Sequence, residues 1–409
     1  MRQRTRTGCW RLAPLLALWA LLCGSGFVAP SPDWDAIPYA ALAARQAGEA
    51  DPKARAYADL AAIVPLGPYV TGRYRQSAYV DDAFFADNLR FYAERAGYTL
   101  LNTAAGQLAG NFVRGLQVTS FLAGLVAMAG LFLLLRDAAG MGFGMAAALG
   151  IGVGLASGIV NFSRFLSPDI LAAALQLLVV LAYVSRRIAA QTLWSLALVT
   201  ARPDFVLFPL ALAFVDLACR LRRREGVGIP WQAAPALAAL AGWGVLRASM
   251  DHPGWAAIVN FTILLGQDAL ELHARSIDWH GYLASLASHG ILALYKDPRF
   301  VMALGFLCFA AWWWLVAAGR SRSPGRLPVA AAASAAFVLG HVLLFPVVWD
   351  RFFAASYAII MISLLAAQRS ATRPSDERAP ARSVRIILPV RDLRGGGLPA
   401  KPAVAPADR

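Results

Sequence analysis

The sequence predicts an all-α integral membrane protein with about ten transmembrane helices, on three observations. Apolar residues make up 58% of the 409-residue chain and charged residues only 15%. Mean hydropathy is +0.54, which leaves too little polar surface for a water-soluble chain of this length. Apolar runs of roughly 17–25 residues recur, the length that carries a helix across the hydrocarbon layer. The bilayer offers no water to backbone groups, so such runs must be helices; a barrel would show short alternating strands instead.

Taken in order, the chain opens with Arg2, Arg4, Arg6 and Arg11, followed by an apolar run over 12–30. That run is long for the core of a cleaved signal and reads as a membrane anchor with a cytoplasmic amino terminus. Residues 31–116 form a long polar outer loop. Within it, Asp81-Asp82 precedes Phe84, Phe85, Leu89 and Tyr92 at helical spacing, with Gly97 as the stop. Ala54 to Val64 reads the same way and ends at Pro65. Two or three amphipathic helices lying on the membrane surface are expected here.

Further spans are expected over 117–135, 138–162, 170–185, 189–201, 204–219, 229–248, 300–319, 327–349 and 352–368. The pair around Arg202-Pro203-Asp204 is kept as two short helices. Counting it as one would put a flanking basic cluster outside. Residues 249–299 form a second outer loop with Trp255, His273, Trp279, His280 and His289. The transmembrane domain then covers 1–368, and 369–409 is a disordered basic cytoplasmic tail rich in Arg, Pro and Ala. No internal repeat is evident.

The net charge of +14 is explained by topology. Arg136, Arg186-Arg187, Arg220 with Arg222 to Arg224, and Arg320, Arg322 and Arg326 all fall on the inner side when counted from a cytoplasmic start. Nucleic acid is excluded as a partner, because no basic stripe interleaves with aromatic residues. Cys9, Cys23, Cys219 and Cys308 lie in or beside apolar runs and form no close pair. His273, His280 and His289 have no metal-ligand spacing, and no metal site is assigned.

The polar residues in unusual contexts gather on the opposite, outer side. Asp33-Trp34-Asp35 follows the first span, and either carboxylate could cap the helix that Pro38 opens. Residues at i and i+2 share no helix face, so only one of the two is expected to face a site, as a general base. Arg164, Arg202 and Arg351 lie at the depth of lipid headgroups, where a guanidinium fork suits a phosphate. Asp169 and Asp204 open helices and read first as caps aligned with the helix dipole. Arg95 and Tyr98 end a surface helix, either in the core or lining a groove. His341 reads as a packed mid-span histidine.

Together these motifs resemble the C-type (GT-C) polytopic membrane glycosyltransferases. The resemblance rests on Asp35-Ala-Ile-Pro-Tyr39, which is similar to an Asp-x-x-x-Tyr start, and on the amphipathic first loop. It rests equally on Ser167-Pro168-Asp169, Arg202-Pro203-Asp204 and Asp350-Arg351, and it covers roughly 10–368. It implies catalysis by Asp35 first and Asp33 second, with Arg351, Arg202, Arg164, Tyr39, Asp169 and Arg95 toward substrate. It implies a polyprenyl-phosphate-linked sugar donor and a glycan, lipid or protein acceptor at the outer face of an inner membrane. A divalent cation at the phosphate is left open. The chain departs from the oligosaccharyltransferase branch, since it carries neither a Trp-Trp-Asp-type acceptor motif nor a soluble C-terminal domain. Two other classes compete. A transporter or flippase would place ionisable groups near the midplane of its spans, where this sequence has little besides His341. A non-catalytic envelope-assembly protein could keep the fold with a lost site.

Overall fold

The computed structural model describes residues 6–31, 33–222, 233–250, 254–260, 276–316 and 325–372. Every regular element among them is helical. The chain divides into units Met1–Gln368 and Arg369–Arg409. The expected disorder of the tail, and Arg223, Arg224, Arg320, Arg322 and His273, lie outside the described residues.

Helix α1 (Arg6–Val28) sends Leu15, Trp19 and Cys23 into the main core. The first loop then folds as six helices, not two or three. They are α2 (Ala36–Gln46), α3 (Pro52–Ala61), α4 (Gly67–Val70), α5 (Arg73–Val80), α6 (Asp82–Ala93) and α7 (Ala96–Ala109). Two start where side chains satisfy free N–H groups: Asp51 accepts from Ala54, and Asp81 from Ala83 and Phe84. Helix α2 is no surface helix, because every residue from Ala36 to Ala44 is buried. Its run of alanines lets neighbours approach on all sides, and its Ile37, Tyr39 and Leu42 join a second core with Trp34, Tyr57, Leu60 and Tyr98. Gly97 is not the stop expected of it. The break falls at Glu94–Arg95, and Gly97 sits inside α7, where a Cβ would stand 2.5 Å from Thr200 Oγ1. A missing side chain there serves close packing, which looks the same in sequence as a terminator.

The remaining helices form a bundle around the main core. Helix α8 (Phe112–Leu133) continues through a π-helical turn, Leu134–Ala138. The expected 138–162 run is instead divided into α9 (Phe143–Ala156) and α10 (Ile159–Phe162), separated at Gly158 with φ +90°. Helices α11 (Asp169–Val184) and α12 (Ile188–Ala201) follow. Arg202 is extended and Pro203 offers no N–H, so α12 stops there, as the two-helix reading expects. A 3-10 turn, Pro203–Val206, leads into α13 (Leu207–Arg222), and α14 (Ala233–Ser249) follows. The second loop holds α15 (Trp255–Val259) and α16 (Trp279–Lys296). The last three are α17 (Pro298–Val316), α18 (Arg326–Leu344) and α19 (Asp350–Thr372). Helix α18 is shorter than the run to 349 suggests, because the chain turns extended at Phe345, just before Pro346.

Among the described residues three helices, against the ten spans expected, are long and apolar enough by themselves to cross a membrane: Phe112–Ala138, Arg326–Leu344 and Asp350–Thr372. Five shorter apolar helices accompany them: Leu12–Val28, Phe143–Ala156, Asp169–Val184, Ile188–Ala201 and Pro298–Trp312. Polar contacts define two ends of the bundle. At one, Arg326 donates to the Tyr183 carbonyl at 2.6 Å, and the Tyr183 hydroxyl donates to Asp216 at 2.6 Å. This joins the start of α18 to the ends of α11 and α13. The other end joins the start of α11, the α12–α13 break, the end of α18 and the start of α19. The candidate site lies there.

Candidate active site

The chain leaves α1 in a tight turn. The Ser31 N–H donates to the Arg164 carbonyl at 3.0 Å, and Arg164 Nε donates to the Ala29 carbonyl at 2.9 Å. Asp33 N–H then bonds the Ser31 carbonyl at 2.7 Å, and Ile37 N–H the Trp34 carbonyl at 3.0 Å. Trp34, 5% exposed, is driven into the second core against Tyr74 and Tyr92. Its two flanking carboxylates are turned the other way, so both face the same group, contrary to the expectation that only one would. Asp35 occupies the cap position of α2 but caps nothing with its side chain.

That shared group is Arg351. Its guanidinium bonds Asp33 Oδ2, lies 3.0 Å from Asp35 Oδ2, and brings Nε within 3.3 Å of Asp169 Oδ2. Asp169 also bonds Arg202 and accepts from Ser167 Oγ at 2.7 Å. Arg202 grips Asp204 with both branches of its fork, at 3.1 and 2.8 Å. His341 Nε2 lies 3.0 Å from Asp204 Oδ2. The result is an unbroken run of polar contacts from Asp33 and Asp35 through Arg351, Asp169, Arg202 and Asp204 to His341. Phe352 lies 3.8 Å beneath the Arg202 guanidinium. Asp169 and Asp204 are therefore ion-pair partners, not plain caps, and His341 does more than pack. The neighbouring Asp350 faces another group: it bonds Arg299, which Asp297 holds at 3.0 Å.

Exposure divides the run. The side chains of Asp169 and Arg202 are 2% and 4% exposed, whereas those of Asp33, Asp35 and Arg351 are 16%, 22% and 20% exposed. Charges that deep persist only when paired, so Asp169 and Arg202 form a scaffold and Asp33, Asp35 and Arg351 its open edge. At that edge burial and the neighbouring Asp35 carboxylate push the Asp33 carboxyl up to about 6, against the pull of Arg351.

Arg95 and the tyrosines stand beside Asp35. Tyr92 donates to Asp35 Oδ1 at 3.0 Å. Arg95 rests against the rings of Tyr39 and Tyr92, 5.5 Å from each centroid, and gives one bond to the Phe91 carbonyl at 3.1 Å. Its Nε is buried without a hydrogen-bond partner. Tyr39, 1% exposed, is stacked edge-on between Tyr92 and Tyr98 and serves packing.

Of the residues singled out in the sequence, Asp33, Asp35, Asp169, Arg202 and Arg351 come together, with Arg95 and Tyr39 alongside. Arg164 does not join them; its side chain pins the exit of α1. Tyr92 and Ser167 were not expected. Tyr92 carried no signal beyond its place on an apolar helix face, while Ser167 lay within the Ser-Pro-Asp motif. No group of His, Cys, Asp and Glu suited to a metal ion occurs among the described residues. What the arrangement offers chemically is a partly exposed carboxylate able to accept a proton, beside guanidinium groups able to face an anion. No protein-family model, curated protein or solved structure matches the chain.

Proposed function

We propose that the chain is a membrane glycosyltransferase of the C type. It moves a sugar from a polyprenyl-phosphate-linked donor to a glycan, lipid or protein acceptor at the outer face of the inner membrane. In this reading α1, α8, α9 with α10, α11, α12, α13, α14, α17, α18 and α19 are ten spans, with both termini cytoplasmic. The observation that carries it is the convergence of Asp33 and Asp35 on Arg351 at one end of the bundle, with the edge of the cluster open. Among the described residues, charged side chains gather toward helix ends, which supports surface chemistry over a path through the bilayer.

Asp35 takes the proton of the acceptor hydroxyl as that oxygen attacks the anomeric carbon. The bond from that carbon to the phosphate oxygen breaks through an oxocarbenium-like state. The departing phosphate meets guanidinium groups. A guanidinium has five N–H donors, and three of those on Arg351 face carboxylates. Two remain for phosphate oxygen, and Arg95 stands by with an unused Nε.

The test is transfer from synthetic polyprenyl-phosphate sugars by the purified chain in nanodiscs. Asp35→Asn keeps size and polarity but removes the base, and should lower turnover by on the order of 10²–10⁴ without unfolding the protein. Arg351→Lys should keep charge yet lose the fork and be impaired, with Arg351→Ala worse. Normal turnover in the Asp33→Asn, Asp35→Asn double variant would defeat the proposal.

A further inference from the structure

Helix α16 begins and ends at the same end of the bundle. Near its start, the Tyr282 hydroxyl donates to the Leu343 carbonyl, and Trp255 Nε1 donates to the Leu344 carbonyl at 2.9 Å. These are free carbonyls of the last turn of α18, two and three residues beyond His341. Past its other end, Asp297 holds Arg299 at 3.0 Å, and Arg299 reaches Asp350, the first residue of α19. The Tyr357 hydroxyl of α19 also bonds Asp297, at 3.2 Å. Both anchor points belong to the α18–α19 connection, next to Arg351. An 18-residue helix is about 27 Å long, so one anchored this way runs across the end of the bundle and not through it.

Its faces are unequal in an unusual sense. Tyr282, Leu286 and Ala293 turn toward the bundle. The sides left uncovered carry Trp279, Leu283, Ile291 and Tyr295, which are 60%, 60%, 59% and 88% exposed, and Leu292 and Leu294 at 45% each. Ala287 fills the position between Leu283 and Ile291, so this i, i+4 stripe is apolar, with the polar His280 and Ser288 exposed beside it. Trp279 and Tyr295 add amphipathic rings to it, the side chains enriched at the headgroup level. The stripe continues onto α17, whose Val301, Phe309 and Trp312 are 44%, 54% and 54% exposed.

We infer that α16 is an interfacial helix, lying flat at the headgroup boundary of the outer leaflet with this stripe in the acyl chains. The inference rests on the membrane placement proposed above and adds to it. The partner is the lipid surface itself, brought to the rim of the acidic cluster. An amphiphilic lipid-linked substrate then reaches the cluster sideways along α16, keeping its chain in the bilayer.

The experiment places single spin-labelled cysteines in the full chain, with Cys9, Cys23, Cys219 and Cys308 replaced by alanine. The sites are Leu283→Cys, Ala287→Cys, Ile291→Cys and Tyr295→Cys. Phe309→Cys on α17 and Leu122→Cys on α8 are controls. Depth is read from collision with oxygen and with a nickel chelate in phosphatidylethanolamine–phosphatidylglycerol nanodiscs. The four α16 sites should report lipid at one shallow depth, agreeing within about the 10 Å diameter of a helix, with both controls deeper. A steady increase in depth from 283 to 295 would make α16 a span and overturn the inference. So would water or occlusion at all four sites, the second pointing to a protein partner. If both controls also report no lipid, the membrane placement itself fails. If the controls report lipid and the α16 sites do not, only the interfacial helix is lost.

Discussion

Asp169 and Arg202 are the most deeply buried carboxylate and guanidinium of the run, and their burial gives them a duty different from that of Asp35. Removing one partner of such a pair leaves the other charged and dry, at a cost of about 3–5 kcal/mol. Arg202→Ala should therefore fail in thermal unfolding and yield, before any assay of transfer. Asp35→Asn, at the open edge, should unfold near the parent temperature. Asp33 makes a third case. Its carboxyl is raised from 3.8 to about 6 by burial and by Asp35, so the folded state holds a proton that the unfolded state has lost. Stability then falls as pH rises from 3.8 to about 6, and above that range ionised Asp33 stays costly. Asp33→Asn should be stabilised relative to the parent at pH 7.5, with the difference shrinking toward pH 5; a constant offset would contradict this. Residue types in this cluster were legible, since Asp and Arg at the rim of apolar spans are costly without a task. The facing of Asp33 and Asp35 was not, because it depends on the burial of Trp34, which a periodicity of two or 3.6 does not encode.

Among the elements, breaks matter more than helices. The α9–α10 break turns on Gly158 at φ +90°, where a Cβ would stand 2.5 Å from Phe162 Cε2 and 3.1 Å from an Arg299 nitrogen. Gly158→Ala meets both a strained backbone and a filled space, so a loss of at least about 1 kcal/mol is expected. Thermal unfolding of that variant measures it. Displacing Arg299 loosens its hold on Asp297 and Asp350, so the variant should also lose transfer. The Pro203 break was legible because proline lacks an N–H. The extent of the first loop's structure was not. Helix α2, Ala-Ile-Pro-Tyr-Ala-Ala-Leu-Ala-Ala in its buried run, presents no polar face for a hydrophobic pattern to register.

Across the whole molecule, charge sorts by end. The end holding Tyr183, Asp216, Arg220 and Arg326 is the one proposed to face the cytoplasm, on the basic residues in its loops. Reporter fusions check it: a fusion at residue 224 should be active inside and one at residue 280 outside. The reverse at either position defeats the topology. The sequence carries this sorting openly, because arginines in short loops need no fold to be counted. It says nothing of which distant residues meet, since ion pairs 33 or 318 residues apart leave no local pattern.

That long separation bears on biosynthesis. Asp35 and Arg351 are 316 residues apart, and a ribosome adding about 5–20 residues per second needs about 16–63 s to pass from one to the other. During that interval Asp33 and Asp35 are in place without their cation, and Asp169 has only Arg202. Helix α19 is the element that brings Arg351 to them. A chain halted before α19 would hold Asp33, Asp35 and Asp169 without that guanidinium, so it should be degraded faster than the full chain in a pulse–chase experiment, and equal lifetimes would contradict this.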